Sequence, residues 1–358
     1  MARAEAESAQ AAPGGASEIV FSVAVKPIAI VLLAGLILRL ALATLPGFSV
    51  DLGSFRAWSV QLASSGPWNF YDTGFFADYA PGYLYVLWFI GTANRFLQFD
   101  AGQFDYVLKL PSVFADLASA FLLYRLLEGQ RPLARLAGPA LYLLFPATLL
   151  IGPVWGQVDS ILALFLLLTI YYVSKGRPVR GAVAFTVAFL VKPQAVAALP
   201  FLAFWYLKNF PLAMVMRASA IALGVGVLLV LPFFPDSPWG IVDRLADAAN
   251  IETYRVNSFW AYNFWGLFGL FKPDDLEYLG FTYRVWGFFL FAVAMALVIL
   301  AFSRSRGDNA GALALGTALS VLVFYLFLTR MHERYLFPFF LPFLAAALLT
   351  QSRLLWAT

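Results

Sequence analysis

Two arginines, a histidine and a glutamate lie within five positions of one another in the stretch LTRMHERYLFP, residues 328–338. They are Arg330, His332, Glu333 and Arg334, and His332 is the single histidine of the chain. Apolar sequence flanks this 330–334 cluster on both sides. A charge inside a membrane costs about 2.5–3.5 kcal/mol, so such residues usually line a cavity or pair with one another. The alternative is a basic cluster on the cytoplasmic side that contacts anionic lipid headgroups.

Three further charged residues interrupt apolar segments: Asp116, Asp159 and Lys192. They could pair with one another to fix helix packing, or they could line a functional site. For Asp116 the two interpretations are balanced. Asp159 and Lys192 both lie beside predicted helix breaks, which favours a site. Lys192 belongs to VKPQA, where Pro193 removes a backbone donor and disfavours helix at the residue before it.

The composition shows which elements must position these residues. Hydrophobic residues make up 62% of the 358 residues and charged residues 12%, whereas soluble domains average about 45–50% and about 25%. This excludes a soluble globular domain and predicts an all-α, polytopic transmembrane helix bundle. The net charge of +4 is spread over short loops, which indicates membrane orientation and not nucleic-acid binding. The chain has no cysteine, so disulfides are excluded.

We predict about 10 or 11 membrane segments, because a span needs about 20 apolar residues. The apolar runs lie at roughly 27–46, 82–99, 106–127, 133–152, 158–173, 179–207, 212–234, 282–302, 311–329 and 335–350. The run 179–207 is too long for one helix, so VKPQA should divide it into two short half-helices. Residues 1–26 are predicted to be a disordered tail, residues 27–350 the transmembrane domain, and residues 351–358 a short C-terminal tail.

Lysine and arginine in short loops predict the orientation of the bundle. Four basic groups should face the cytoplasm, and they contain Arg125, Arg131 and Arg135; Lys175, Arg177 and Arg180; Lys208 and Arg217; and Arg304 and Arg306. The opposite face would then carry VWGQVDS, the Lys192 break, the 330–334 cluster and the two long loops, 47–80 and 235–281. One conflict remains. An odd number of crossings must separate Ala80 from Arg125, yet two apolar runs lie between them.

The first long loop contains two carboxylates at interesting positions. Asp51 follows the first span, and SFRAWSVQLA directly after it reads as a short amphipathic helix lying along the membrane interface. Asp78 lies where ADYAPGYLY returns to the membrane, with Pro81 at a helix start. The alternative for both is a solvated loop carboxylate, which is also how we interpret Asp72.

The second long loop contains IETYRVNSFWAYNFWGLFG, residues 251–269, a mixture of Trp, Tyr, Phe and Asn. Aromatic faces stack on sugars and amides such as that of Asn257 bond to hydroxyls, so the mixture suits a ligand that is part lipid and part sugar. Taken by itself, this stretch is better explained by an ordinary aromatic belt at the membrane interface.

Taken together and in order, these stretches resemble the GT-C superfamily of integral membrane glycosyltransferases. The nearest branch is the dolichyl-phosphate-glucose glucosyltransferases, with GPI mannosyltransferases and prokaryotic relatives nearby. The resemblance covers most of residues 27–350. It is carried by Asp51 with Arg56 and Trp58; DYAPGYLY (78–85); LKLPSVFADLAS with Lys109 and Asp116; GPVWGQVDS (152–160); Lys192 to Gln194; and MHERYL (331–336).

The resemblance implies a polyprenyl-phosphate sugar donor, a lipid- or glycan-type acceptor, inversion at the anomeric carbon and a site on the non-cytoplasmic face. A carboxylate must take the acceptor proton, which is typically worth about 10²–10⁴ in rate, and Asp51 is our candidate. Cations must hold the lipid phosphate. The candidate phosphate-binding residues are Lys192, Arg330, His332 and Arg334, and the candidate sugar- or acceptor-binding residues are Asp78, Gln157, Asp159, Gln194 and Asn257.

We expect no cofactor and no metal ion, because one histidine and scattered carboxylates do not form a zinc site; a divalent ion on Asp51 and Asp78 is the alternative. The sugar is expected to be a hexose, mannose or glucose. Two other functions remain open. A transporter or flippase of lipid-linked sugars would also contain broken helices and buried charges, although the chain shows one clear break and no internal symmetry. A non-catalytic lipid-binding subunit is the third.

Overall fold

The computed structural model describes residues 15–71, 77–304 and 309–350. Most of these residues are helical. The α-helices are α1 (Gly15–Ala43), α2 (Ser49–Ser65), α3 (Pro81–Leu97), α4 (Ala101–Leu126), α5 (Pro132–Leu144), α6 (Pro146–Leu149), α7 (Asp159–Ser174), α8 (Pro178–Val191), α9 (Leu199–Asn209), α10 (Leu212–Val230), α11 (Gly240–Ala249), α12 (Tyr283–Ser303), α13 (Ala310–Phe327) and α14 (Phe337–Thr350). A π-helix covers Leu150–Trp155. Residues 1–14 and 351–358 of the predicted tails, Asp72 and Arg306 lie outside the described residues, and α1 begins at Gly15, within the predicted N-terminal tail.

Five helices of the described ranges are long and apolar enough to cross a membrane. They are Ala101–Leu126, Leu212–Phe233, Tyr283–Ser303, Ala310–Phe327 and Glu333–Thr350. Pro132–Leu144 and Pro146–Trp155, bent by 52°, form a sixth span if they are taken together, and Pro27–Ala43, Asp159–Ser174 and Pro178–Val191 are shorter apolar helices. The all-α, polytopic helix bundle predicted from the composition is confirmed, and it fits an integral multi-pass membrane protein.

Helix α3, which covers the predicted span 82–99, does not meet the criteria for a span. It packs along α2, where Arg95 Nη1 donates to Ala63 O at 2.7 Å and the missing Cβ of Gly91 admits the backbone of Ser59. The start of α3 covers the ends of α8 and α10, because Tyr85 Oη donates to Leu229 O at 2.9 Å. Its buried residues, among them Leu84 and Leu87, pack in one core with Phe55 and Trp58 of α2. With α3 outside the spans, α4 alone would lie between the first long loop and Arg125, and the crossing conflict would be removed.

The break predicted at VKPQA is confirmed. Helix α8 ends at Val191, Lys192 is extended with φ −152° and ψ 114°, and a 3₁₀-helix over Pro193–Ala198 leads into α9. The extended backbone at Lys192 follows from the steric effect of the proline after it. Lys192 is thus presented at a helix end.

The loops of the basic groups gather at one end of the bundle, which we call the basic end. Tyr206 Oη donates to Pro178 O at 2.8 Å, Lys208 Nζ donates to Phe302 O, and Gly138 packs between the side chains of Leu127 and Leu348. The loops around residues 44–48, 77–80, 156–158, 192–198 and 328–336 lie at the opposite end, which we call the cavity end. There β1 (Ser258–Phe259) pairs in parallel with β4 (Met331–His332), and β2 (Glu277–Tyr278) pairs antiparallel with β3 (Phe281–Thr282).

A fully buried ion pair fastens the first helix to the bundle. Arg39 Nε lies 2.9 Å from Asp116 Oδ2, and neither side chain is exposed. The remaining Arg39 donors reach Leu143 O at 2.9 Å and Thr148 Oγ1 at 3.2 Å, and Tyr142 Oη donates to Asp116 Oδ1 at 2.9 Å. Of the two interpretations of Asp116, the contacts support helix packing.

Candidate active site

A cavity of about 420 Å³ opens at the cavity end. It is lined by residues from six separate stretches of the chain. Its polar lining consists of Asp78, Tyr79, Lys192, Gln194, Tyr254, Arg284, Thr329, Arg330, His332, Arg334 and Tyr335. Its apolar wall includes Leu245 of α11, Phe288 of α12, and Phe324 and Leu328 at the end of α13. The cavity therefore combines charged lining residues with an apolar wall that suits a hydrocarbon chain.

Arg330, three residues after the end of α13, adopts a left-handed backbone conformation with φ 65°. Such a conformation is uncommon for a residue other than glycine. It is held by an ion pair, because Arg330 Nε lies 2.6 Å and Nη2 3.3 Å from the two oxygens of Asp274. Arg330 Nη1 also donates to Ala249 O at 2.6 Å. The guanidinium lines the cavity, but it already has a carboxylate partner.

His332 is 7% exposed and lies among aromatic rings. Its ring centroid is 4.5 Å from Phe259, 4.9 Å from Tyr335 and 5.4 Å from Tyr254. Burial, together with the positive charges of Arg334 and Lys192, lowers the pKa of His332 to about 3. The imidazole is therefore neutral at pH 7 and can offer a hydrogen bond but no charge.

Of the three cavity cations that form ion pairs among the described residues, Arg334 has the longest contact. Its Nη1 lies 3.4 Å from Glu333 Oε1, a long contact, and its guanidinium stands 5.8 Å from the ring centre of Trp155. Its Nε is buried and has no hydrogen-bond partner within the described part of the chain. Buried N–H groups are rarely left without a partner. A donor in this state at a cavity wall indicates a place for a ligand acceptor.

Lys192 and Asp159 form a buried ion pair, in which Nζ lies 2.7 Å from Asp159 Oδ1. The ammonium group also stands 5.7 Å from the ring centre of Tyr335. Asp159 Oδ2 is buried and lacks a partner among the described residues. The pair neutralises the lysine, which makes it a weaker candidate than Arg334 for holding an anion by charge.

Two glutamine side chains lie near this pair. Gln157 is 1% exposed, and its Oε1 accepts a hydrogen bond from Tyr79 Oη at 3.2 Å. Gln194 lines the cavity directly, and its Oε1 is buried without a partner in the ranges described. Gln157 therefore reaches the cavity through Tyr79, whereas Gln194 offers it a free acceptor.

Asp51 lies in the first turn of α2 and accepts a hydrogen bond from Trp155 Nε1 at 2.7 Å. Because Trp155 also contacts Arg334, one indole links the carboxylate to the guanidinium. Asp51 is outside the cavity lining, but its charge and that of Arg334 act on each other. The structure thus places Asp51 beside the 330–334 cluster, at the same end of the bundle.

Asp78 is the carboxylate that lines the cavity itself. Burial raises the pKa of Asp78 above its ordinary value, and the positive charges of Lys192 and Arg334 oppose this shift. Asp51 and Asp78 therefore lie near the same cations: Asp51 lies behind the Trp155 indole, and Asp78 lies in the cavity wall.

Asn257 lies away from the cavity and is fully buried. Its Nδ2 donates to Trp265 O at 3.0 Å and to Gly269 O at 2.6 Å, and its Oδ1 accepts from Ser258 N at 2.8 Å and from Lys272 N at 3.0 Å. All four hydrogen bonds are internal to the loop. The side chain organises the loop and leaves no amide atom free for a sugar.

The structure brings Lys192, Gln194, Arg330, His332 and Arg334 together around one cavity, although they are distant in sequence. It adds residues that the sequence reasoning did not single out: Arg39, Tyr79, Trp155, Tyr254, Arg284 and Tyr335. Most are aromatic residues in a chain with 10 Trp, 16 Tyr and 36 Phe. Because aromatic residues are so abundant, residue type alone did not distinguish those of the cavity from those of an aromatic belt at the membrane interface.

Comparison with known proteins gives one informative similarity. No family model matches the chain. Over 237 residues, 61% of this chain, it is 23% identical to the dolichyl pyrophosphate Glc1Man9GlcNAc2 alpha-1,3-glucosyltransferase of Arabidopsis thaliana. The aligned region covers 47% of that protein, so the chain spans about half the length of the curated relative it matches.

Proposed function

We propose that this protein is a membrane glycosyltransferase that moves a hexose from a polyprenyl-phosphate donor to an acceptor hydroxyl. The observation that carries the proposal is the buried Nε of Arg334, which has no partner among the described residues, at a cavity where Lys192 and Arg330 are each held by a carboxylate. An arginine fork matches the oxygens of a phosphate. The similarity to a glucosyltransferase with a dolichyl-linked glycan in its name supports the same class of reaction.

The donor would lie with its phosphate on Arg334 and its hydrocarbon against the apolar wall. Phe288, 58% exposed on α12, and Phe324 of α13 lie on that wall. Helix α12 buries only 11% of its span within the bundle, so it is available to lipid. A ligand with an anionic head and a long apolar chain matches both surfaces. Neutral His332 would add a hydrogen bond to the phosphate, whereas Arg330 already donates to Asp274 and Ala249.

The transfer step needs a base and a stabilised leaving group. The acceptor oxygen attacks the anomeric carbon while Asp51 takes its proton. The new carbon–oxygen bond forms as the bond from the anomeric carbon to the phosphate oxygen breaks. The electron pair of that bond stays on the phosphate, where Arg334 stabilises the added negative charge. Attack from the face opposite the phosphate inverts the anomeric carbon.

The sugar would be held by buried acceptor atoms in the cavity wall and directly behind it. Asp159 Oδ2 and Gln194 Oε1 are both buried without a partner in the described residues, and sugar hydroxyls supply the missing donors. Asp78 and the Tyr79–Gln157 pair would bind further hydroxyls. Glucose is preferred over mannose because the relative is named a glucosyltransferase.

The cavity end would face away from the cytoplasm. The basic groups lie at the other end of the bundle, and cytoplasmic loops carry the excess of lysine and arginine. This placement argues against a headgroup-binding role for the 330–334 cluster, which would put it on the cytoplasmic side.

Membranes containing the protein should transfer label from one member of a panel of labelled polyprenyl-phosphate hexoses. Asp51→Asn should abolish transfer while donor binding persists. Asp105→Asn is the matched control, because Asp105 is a carboxylate paired with Arg56 in the same region of the fold. If D51N retains transfer and Asp78→Asn loses it, Asp78 and not Asp51 is the base. Donor movement across vesicles without any transfer would favour a flippase and end the proposal.

A further inference from the structure

The π-helix that precedes α7 ends on a tryptophan with an unusual set of neighbours. Trp155 Nε1 donates to Asp51 Oδ2 at 2.7 Å, and the face of the same indole carries the Arg334 guanidinium at 5.8 Å. One planar side chain therefore contacts both the candidate base and the candidate phosphate-binding cation. We infer that Trp155 is a positioning residue that fixes the direction of the Asp51 carboxylate relative to Arg334. This inference rests on the proposed function.

The backbone around Trp155 is held from both sides. Phe48 N donates to Trp155 O at 3.1 Å, and the Phe48 ring packs 5.0 Å from the indole. Gly47 permits this approach, because a Cβ there would lie 2.9 Å from Trp155 O. Gly156, with φ 93°, ends the π-helix. Short π-helices occur frequently at functional sites.

The buried Arg39–Asp116 pair also stabilises the segment that leads into the π-helix. Arg39 bonds to Leu143 O and Thr148 Oγ1, on either side of the bend between α5 and α6. The bend leads directly into the π-helix. The segment that carries the indole is therefore held by contacts to α1 and, through Phe48, to the start of α2, so the indole can act as a fixed reference for the Asp51 carboxylate.

A fixed N–H donor restricts a carboxylate in two ways. It occupies Oδ2 and so directs the other oxygen, Oδ1, toward an incoming proton. It also prevents the carboxylate from turning to form a closed ion pair with Arg334, which would consume both the base and the phosphate-binding charge. Preorganisation of this kind lowers the cost of reaching the transition state without adding a contact to the ground state.

Trp155→Phe removes the N–H and keeps an aromatic face. With labelled polyprenyl-phosphate-glucose as donor, we expect kcat to fall roughly 10- to 100-fold, the range of one hydrogen bond to a charged group, with donor KM nearly unchanged. Trp155→Leu also removes the face and should raise donor KM about two- to fivefold. Trp205→Phe is the matched control, because Trp205 is buried and its Nε1 has no partner among the described residues.

A spectroscopic readout separates this inference from the proposed function. In protein labelled with ¹⁵N at the indole nitrogens, the cross-peak lost in W155F should shift in D51N, whatever the enzymatic activity. If that peak is unmoved in D51N, or if W155F transfers at the wild-type rate while D51N is inactive, the positioning role is wrong and the proposed function stands. A wild-type protein that transfers from no donor would overturn the proposed function, and the indole shift alone would then show the contact.

Discussion

Replacing Arg334 tests the charge arrangement of the cavity most directly. Lys192 is neutralised by Asp159 at 2.7 Å and Arg330 by Asp274 at 2.6 Å, whereas Arg334 has one long contact at 3.4 Å. A charge-assisted hydrogen bond contributes about 1.5–3 kcal/mol. If Arg334 donates one such bond to the donor phosphate, Arg334→Gln should weaken donor binding roughly 10- to 150-fold. Arg334→Lys keeps the charge but loses the planar guanidinium, so its donor affinity should lie between those of the wild type and Arg334→Gln.

The assay is equilibrium titration of the detergent-solubilised protein with a fluorescent polyprenyl-phosphate-glucose. Arg330→Gln is the matched control, since it removes the same group from the same cavity. It should lower thermal stability, because Asp274 loses its partner, while donor affinity changes by less than about threefold. The reasoning is refuted if R330Q weakens donor binding more than R334Q does.

Two further predictions concern stability. Lys192→Met should lower the free energy of unfolding by about 3–5 kcal/mol, because it leaves Asp159 buried and unpaired. The double variant Lys192→Met/Asp159→Leu should recover most of this loss. Thermal unfolding in detergent measures both variants, and an unchanged stability of the single variant would contradict the burial of the pair. Asn257→Ala should lower the free energy of unfolding by roughly 2 kcal/mol or more, because four backbone groups lose their hydrogen-bond partner. The variant should also make the 252–274 loop sensitive to limited proteolysis. A change in KM with unchanged stability would instead indicate that Asn257 contacts the sugar.

The sequence predicted the bundle because apolar length is a one-dimensional property. It also predicted the break at Lys192, where Pro193 acts on its immediate neighbour. The span at 82–99 illustrates the limit of that reasoning. Part of helix α3 is apolar because it packs against α2, and hydropathy does not separate that burial from burial in lipid.

The candidate site residues were chosen from the sequence by type, and the structure bears on their roles. Lys192 and Arg330 were chosen as phosphate-binding cations, yet each is paired with a carboxylate that lies 33 or 56 residues away in the chain. Whether a cation is paired depends on such tertiary contacts. His332 was chosen as a phosphate ligand, and its neutral state follows from three surrounding rings that only the fold assembles. Arg39 was overlooked, since its partner Asp116 becomes visible only when α1 and α4 are side by side.

Under the proposed function, the charge of Arg334 also bears on turnover. A sugar-bearing lipid phosphodiester carries one negative charge, whereas the phosphomonoester it would become carries about 1.5–2 at pH 7. Arg334 would therefore balance the charge of the donor more completely than that of the spent lipid. Asp78 lines the cavity and Asp51 lies behind Trp155 beside it, so both carboxylates would repel the surplus charge. The spent lipid would then be expelled by the electrostatics that admitted its precursor.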